Sequence, residues 1–328
     1  MKIAQVLTSS GWGGTETVFI LLVNELSRKH DVTVITYDNP AILKELSPNV
    51  KPIIIPETSR KNLWGYWLLY RIFVKESFDI VHTHGAKAST MVYWLSRILP
   101  ICQIATKHNS RKGSIFNKIS NTTAVSRTVA RSIKNETMVI HNGINVISRE
   151  IEDQRHDPFR IMAIGRLDPI KGFDLLIEQV AKLDIPFQLD IVGDGPEKNK
   201  LLQKIDHLGL AGQVFFKGYQ NNIPERMGQV DLIVISSRSE GFSMVAVESL
   251  FYGKVLLSTH IGISQDLLDD SLLVGHENLA VKIKEIALNY EKFRNCFKAT
   301  QKKYQREFSI EHVTTVYEEL FKRSVPHG

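Results

Sequence analysis

The sequence contains little cysteine and no long uninterrupted apolar stretch. Its two cysteines, Cys102 and Cys296, lie far apart and do not form a metal-ligand spacing. A reducing cytoplasm is therefore the expected compartment, and a structural disulfide is not expected. No apolar run reaches the roughly 18 residues that a membrane-spanning helix requires. The brief apolar stretch at the N-terminus, followed by a glycine-rich turn, predicts a first strand and not a signal peptide.

Signatures of two further classes of protein are absent, and the charge is unevenly distributed. No complete Gly-x-Gly-x-x-Gly opens either half, which argues against a nicotinamide-dependent dehydrogenase.

Residues 1–150 hold 19 Lys and Arg against 10 Asp and Glu (+9), whereas the remainder holds 22 against 25 (−3). The basic half predicts an acidic partner. Since no zinc-finger, RNP-type or basic-helix pattern accompanies it, an anionic substrate or membrane surface is favoured over nucleic acid.

The composition and the order of apolar runs predict two α/β domains. The 328 residues, 43% hydrophobic and 23% charged, suffice for two cores. Apolar strands alternate with glycine-rich turns and helical patterns in both halves, which is typical of doubly wound, Rossmann-like domains with parallel sheets. We place the first domain at 1–150, the second at 151–305 and a terminal helix at 306–328. Residues 146–158 are the expected linker. Strands are predicted from Phe159 to the glycine at 165 and from Gln188 to the glycine at 193, and helices over about 15–28, 277–298 and 310–323.

The most informative stretch follows the apolar run Leu232–Ile235, which predicts a buried parallel strand. A serine-rich loop leads into a helix that begins near Phe242 or Ser243 and ends at Gly253. Unpaired amides at such a junction suit an anion. The carboxylates of Glu240 and Glu248 suit hydroxyls instead, so the pattern predicts a ligand with phosphates flanked by polyols, a nucleotide sugar. The alternative is an ordinary βα turn with a solvated Glu240 and a helix-surface Glu248.

Three motifs resemble those of retaining glycosyltransferases of family 4. Glu240-Gly-Phe-Ser…Glu248 resembles their Glu-x7-Glu motif. Gly165-Arg-Leu…Lys171-Gly172 resembles a second motif of the family, and Gly193-Asp-Gly-Pro-Glu197 resembles a third. The resemblance covers nearly the whole chain. It implies the GT-B fold, with two Rossmann-like domains facing a central cleft, and a terminal helix that packs back on the first domain.

The resemblance also implies an activity. Family members transfer a sugar from a nucleotide diphosphate sugar, most often UDP-linked, to a saccharide or lipid-linked acceptor in envelope polysaccharide or lipopolysaccharide synthesis. A nucleotide-sugar epimerase and a non-catalytic nucleotide-sugar-binding protein remain the alternatives. An epimerase would interconvert donors without an acceptor, and a sensor would bind them unchanged.

Roles for individual residues follow from the same motifs. Arg166 and Lys171 would stabilise charge on the leaving diphosphate. Glu240 would hold hydroxyls of the donor sugar, and Glu248 the ribose diol. The strand end that carries His84 resembles the family's Asp-x-x-His-x-His, so His84 would contact the donor sugar or steer the acceptor. The residues expected to bind the donor are Gly13, Gly14, Gly165, Gly193, Gly195, Tyr219, Gly241, Phe242, Ser243, Met244 and Glu248.

No metal or other cofactor is expected. The chain has no Asp-x-Asp signature, and the cations Arg166 and Lys171 would take over the work of a metal ion. No carboxylate is evidently placed as a covalent nucleophile, which favours a same-face route with internal return.

Residues 60–75 are the most distinctive surface candidate. Four of them are basic and four are Trp or Tyr, with a helical pattern running through them. Aromatic and basic side chains on one helix suit an interface with anionic lipid headgroups, and peripheral attachment to the inner face of the cell membrane would follow. The alternative is a core helix whose charges are simply solvated.

Overall fold

The computed structural model of the chain describes residues 1–111, 113–147 and 154–325. The chain divides into two units. Unit 1 comprises Met1–Asn145 and the terminal segment from Glu307, and unit 2 comprises Val146–Arg306. The predicted linker lies partly outside the described residues, as does the boundary expected at 150/151.

Unit 1 is built on a parallel sheet with helices against it, as the alternating pattern predicted. Its strands are β1 (Lys2–Leu7), β2 (Asp31–Thr36), β3 (Lys51–Ile54), β4 (Ile80–His84), β5 (Gln103–Lys107), β6 (Asn121–Ala124) and β7 (Met138–Val139). They are ordered β3-β2-β1-β4-β5-β6-β7, and every pair is parallel. The central strands are apolar runs because helices cover both faces of such a sheet.

Of the helices of unit 1, the first begins close to its predicted start near residue 15, and another overlaps the helical pattern of residues 60–75. The helices are α1 (Gly14–Leu26), α2 (Pro40–Glu45), α3 (Leu63–Glu76), α4 (Gly85–Leu95) and α5 (Arg127–Ala130). Asn39 and Asn62 cap α2 and α3, because each side-chain oxygen accepts from a first-turn amide. The residues at the N-caps of α1 and α4, Gly13 and His84, make no such side-chain bond.

Unit 2 repeats the architecture on a second parallel sheet, which confirms the predicted fold class of two Rossmann-like α/β domains. Its strands are β8 (Phe159–Ile164), β9 (Phe187–Val192), β10 (Val214–Gly218), β11 (Leu232–Ile235), β12 (Leu256–Thr259) and β13 (Leu273–Val274), ordered β10-β9-β8-β11-β12-β13. Its helices are α6 (Phe173–Val180), α7 (Lys198–His207), α8 (Ile223–Gly228), α9 (Met244–Tyr252), α10 (Ser264–Leu267), α11 (Leu279–Leu288) and α12 (Tyr290–Tyr304).

Two details of unit 2 differ from the expectation. The helix predicted over 277–298 is two helices, because Asn289 leaves the helical region and its side chain donates to the carbonyl of Glu285. Gly253 follows α9 as predicted, but with a φ of −89° and not in the left-handed conformation. A Cβ there would lie 2.8 Å from Cδ1 of Ile233, so close packing and not handedness requires this glycine.

The terminal helix α13 (Ile310–Ser324) belongs to the core of unit 1. Its apolar stripe, formed by Ile310, Val313, Tyr317 and Phe321, is buried in one cluster with side chains of α1 and the strands. Ser309 caps it by accepting from the amide of His312. Across the described ranges, no helix combines the length and the apolar character needed to cross a membrane.

Candidate functional site

Each sheet has a point at which the order of its strands reverses direction. In unit 2 this point lies between β8 and β11, and in unit 1 between β1 and β4. The loops that follow these strands diverge there, which leaves a crevice at the carboxyl ends where α/β proteins bind ligands. The predicted site residues fall mainly on these loops, so two groups of side chains can be described, one in each unit.

In unit 2 the loops after β8 and β11 are bonded to each other. Ser236 Oγ donates to the carbonyl of Lys171 at 3.0 Å, and the amide of Arg238 donates to the carbonyl of Ile170 at 2.7 Å. The Arg238 guanidinium forms a bidentate pair with the carboxylate of Asp174, at 2.9 and 2.7 Å. These contacts fix the backbone on which Lys171 and Glu240 are carried.

Lys171 and Glu240 are the two predicted catalytic residues that make direct contact. Lys171 Nζ lies 2.8 Å from Glu240 Oε1, and Ser237 Oγ donates to the same oxygen. Their side chains are largely covered, at 22% and 9% exposure. Arg166, by contrast, is 74% exposed, and its guanidinium pairs with Asp168 two residues on, with Nη2 at 2.7 Å from Oδ2. Arg166 is thus free to change rotamer, whereas Lys171 is held.

The predicted glycines of the loops after β8 and β9 allow two backbones to touch. Gly193 has a φ of +138°, and a Cβ there would lie 2.0 Å from the carbonyl oxygen of Gly165. Gly195 faces the backbone of Leu167 in the same way, with a Cβ position 2.5 Å from its carbonyl oxygen. These glycines therefore bring the two loops together, in addition to any contact with a ligand.

The N-terminus of α9 is open. Its N-cap, Ser243, makes no side-chain cap, and Ser243 Oγ is buried without a hydrogen-bond partner among the described residues. The first amides of an α-helix have no intrahelical acceptor, and the helix dipole is positive at that end. Met244 is the first residue of α9, and Gly241 and Phe242 lie in the loop before it. An anion is the natural partner of this end.

Glu248 lies on α9, one turn beyond the open end. None of the described residues pairs with its carboxylate by a hydrogen bond or a salt bridge, and burial raises the pKa of Glu248 to about 7. A carboxyl group held in this way can accept hydrogen bonds from a ligand diol once it is ionised. Of the alternative turn, only the solvated Glu240 does not fit the structure, because that side chain is 9% exposed and pairs with Lys171.

Tyr219 lies apart from this group. It follows β10, which is separated from β8 by β9, and its side chain is 73% exposed. The ring is therefore not packed in the core of unit 2 and is available to a ligand.

In unit 1 the predicted residues lie on the loops after β1 and β4. Gly13 and Gly14 open α1, and Glu16 in its first turn is buried at 8% exposure. His84 is the last residue of β4, and Gly85 after it has a φ of +79°, which favours glycine. A cavity of about 340 Å³ is lined by side chains of both loops, including Glu16 and His84.

Three histidines lie in a row at this cavity, with His82 and His84 buried and His108 partly buried. His84 Nε2 lies 2.9 Å from Gln5 Oε1, and His84 Nδ1 lies 3.1 Å from His108 Nε2. His82 is packed behind them with its Nε2 2.7 Å from Thr106 Oγ1. Burial lowers the pKa of His82 to about 3 and that of His108 to about 4, and it holds the pKa of His84 well below its usual range. All three are therefore neutral at pH 7, and His84 is held on both sides.

Several side chains of these sites were not singled out from the sequence. Arg238 lies inside the most informative stretch, but its partner Asp174 is 64 residues away, so no local pattern reveals the pair. The hydrogen bond between His84 and Gln5 likewise joins two neighbouring strands, β4 and β1, whose residues are 79 positions apart in the sequence. Among the described residues, no group of three or more His, Cys, Asp or Glu is arranged to hold a metal ion.

Comparisons with known proteins agree with this architecture. Residues 12–147 match the model of glycosyltransferase family 4, and residues 147–303 match that of the glycosyl transferases group 1. An uncharacterized glycosyltransferase of Methanocaldococcus jannaschii is 30% identical over 292 residues, 78% of this chain and 80% of the relative. The lipopolysaccharide core biosynthesis glycosyltransferase LpsE of Rhizobium meliloti is 28% identical over 262 residues, 75% and 76% of the two chains. The crystal structure of Anabaena HepE in complex with UDP has a TM-score of 0.87 at 20% identity, covering 98% of this chain and 100% of HepE.

Proposed function

Because the chain belongs to the glycosyltransferases of the GT-B fold, we propose that it transfers a sugar, with retention of configuration, from a UDP-linked donor to a saccharide or lipid-linked acceptor. The name of LpsE and the UDP bound to HepE support envelope polysaccharide synthesis and this donor class. The observation that carries the proposal is the group formed by Lys171, Glu240 and the open end of α9, with Glu248 unpaired beside it.

In this proposal the donor is held by complementary charges. The diphosphate accepts from the first amides of α9 and from Lys171, and Arg166 turns from Asp168 to add a second cation. Released from Lys171, Glu240 accepts from hydroxyls of the donor sugar. Glu248 accepts from the ribose diol, because an unpaired and partly buried carboxylate gains most from such a partner.

Transfer then breaks the bond between the sugar C1 and the diphosphate oxygen. Lys171 and Arg166 stabilise the charge that grows on that oxygen, which is electrostatic catalysis by groups already in position. The acceptor hydroxyl attacks from the face that the diphosphate leaves, and its proton passes to the departing phosphate oxygen. This route needs no covalent carboxylate intermediate, and with two cations at the diphosphate it proceeds without a metal ion.

The acceptor side is assigned to unit 1. His84, neutral and held by Gln5 and His108, would present its ring edge to the substrates. On α3, Trp64 and Trp67 are about half exposed while Leu69 and Phe73 pack inward, so the aromatic side chains that face solvent flank exposed basic ones. We propose that this surface attaches the enzyme to an anionic membrane.

The proposal is tested first by the Lys171→Ala variant, with the exposed Lys302→Ala as a matched control. Turnover should fall by about two orders of magnitude or more, because stabilisation of the leaving group is lost in the transition state. Thermal stabilisation by UDP in the presence of a chelator reports donor binding separately. If Lys171→Ala raises only KM, the assigned role is wrong. Donor interconversion without an acceptor would indicate an epimerase, and binding without turnover a sensor.

A further inference from the structure

A larger cavity of unit 1 has no role in the steps above. It has a volume of about 770 Å³ and adjoins the cavity that contains His84, because Lys107 and Arg111 line both. Its basic lining residues are Arg60, Lys107, Arg111 and Lys118. Among the described residues that line it there is no Asp or Glu, and none of the four cations pairs with a carboxylate that the structure describes. The cavity thus carries four formal positive charges without internal compensation.

Lys107 is the central member of this set. It is only 3% exposed, and its Nζ donates to Ser132 Oγ at 2.8 Å and to the Ser132 carbonyl at 3.4 Å. The ammonium also lies 5.7 Å from the centre of the Phe116 ring. These are neutral partners, and an ammonium group has three donors. Burying a cation without an opposite charge destabilises the folded state. An anion bound beside Lys107 would offset this desolvation penalty, so binding of an anion is favoured there.

The surroundings of the cavity indicate which anion fits. A carboxylate brings one negative charge, which leaves most of the four cations uncompensated. A phosphoryl group brings between one and two charges and three strong acceptor oxygens, and a diphosphate brings more. The hydroxyl of Ser110 in the lining adds a donor of the kind that phosphate oxygens accept, whereas Ser132 Oγ already donates to the carbonyl of Val129. Trp94, 53% exposed at the same cavity, offers a flat apolar face beside the charges.

The position of the cavity in unit 1 relates it to the acceptor. Arg60 begins the segment 60–75, three residues before the start of α3, and Trp94 lies on α4, which packs against α3. The cavity therefore lies between the surface assigned to the membrane and the cavity that contains His84. Resting on the proposed function, we propose that it binds a phosphoryl group of the acceptor, with a diphosphate between saccharide and lipid as the best match for four cations.

The first experiment uses inorganic pyrophosphate and calorimetry, with UDP present at saturation so that the donor loops of unit 2 are filled. The cavity variant is Arg111→Ala/Lys118→Ala, which changes exposed side chains, spares the buried lysine and leaves residues 60–75 intact. The matched control removes two cations that lie outside the cavity and outside the ion pairs of the described residues, in the variant Lys44→Ala/Lys322→Ala.

Pyrophosphate should bind the wild-type protein and the control alike, and the cavity variant about tenfold or more weakly, because charge-assisted hydrogen bonds are lost. Thermal stabilisation by UDP should be the same in all three proteins. Equal pyrophosphate affinity in the cavity variant and the control would overturn the proposal. Lack of any response to UDP would count against the proposed function instead. In that case pyrophosphate binding would be measured in the Lys171→Ala background, because the donor loops then lack their central cation and cannot account for the binding.

A second arm separates the two sources of a phosphoryl group. Farnesyl diphosphate in neutral detergent micelles is compared with vesicles of phosphatidylcholine that contain phosphatidylglycerol. The proposal expects the cavity variant to lose affinity for farnesyl diphosphate while its vesicle binding stays close to that of the control. Loss of vesicle binding with unchanged affinity for the diphosphate would assign the cations to bulk lipid headgroups and overturn the acceptor site.

Discussion

Replacing Glu248 by Gln should stabilise the ligand-free protein and weaken its binding of nucleotide. Burial raises the pKa of Glu248 to about 7 from the ordinary value of 4.5. The native state therefore resists ionisation of this group, and the free energy of unfolding falls as the pH rises from 4.5 to 7. Since one pKa unit corresponds to 1.36 kcal/mol, the ionised carboxylate costs the fold up to about 3 kcal/mol at pH 8. Glutamine has nearly the same shape and no charge, so it avoids this cost.

The assay is denaturant unfolding of both proteins between pH 4.5 and 8, with the exposed Glu57→Gln as the control. Glu248→Gln should gain up to about 3 kcal/mol at pH 8, and the gain should shrink to near zero at pH 4.5. The same variant should bind UDP more weakly at pH 8, because an amide is a poorer acceptor for two hydroxyls than a carboxylate. A variant that is no more stable at pH 8, or a gain independent of pH, would contradict the reasoning.

Three further outcomes are expected. Neutralising Lys61, Arg71 and Lys75 together should reduce binding to anionic vesicles, and added salt should abolish the difference from the wild type; unchanged vesicle binding would leave α3 without a membrane role. Gly193→Ala should destabilise unit 2 by about 3 kcal/mol or more, because its Cβ would overlap a backbone oxygen, whereas Gly212→Ala meets no atom within 4 Å and should be tolerated. Below pH 6.5 the unfolded state binds a proton that the buried His82 resists, so this histidine should lower the free energy of unfolding by about 2 kcal/mol between pH 7 and pH 5, and His82→Gln should flatten this pH dependence; an unchanged pH dependence in the variant would contradict the burial of His82.

Much of the fold was accessible from the sequence because parallel strands buried on both faces are short apolar runs bounded by glycine-rich turns. The strands β8, β9 and β11 and the start of α9 follow this rule, and their predicted positions agree with the structure to within about two residues. The break at Asn289 was missed because the apolar periodicity of α11 continues into α12. Only the backbone conformation of that one residue separates them.

The candidate site was predictable as a set of loops but not as a set of contacts. Lys171 and Glu240 were assigned to different parts of the donor, yet in the ligand-free protein they bind each other across 69 residues of sequence. The positive cavity was equally hidden, because Arg60 and Lys118 lie on separate loops. Spacing rules describe residues on one element, and these contacts arise only when several elements pack together.

The place of α13 in the core of unit 1 has a consequence for synthesis of the chain. The ribosome makes unit 2 entirely between the first 145 residues and the helix that completes their core. Unit 2 has all its residues once Arg306 has emerged, so it is the first of the two that can finish folding, although unit 1 begins the chain. Until Phe321 emerges, the nascent unit 1 exposes the apolar groove of α1 and its sheet. A stop codon before residue 310 would leave that groove open permanently.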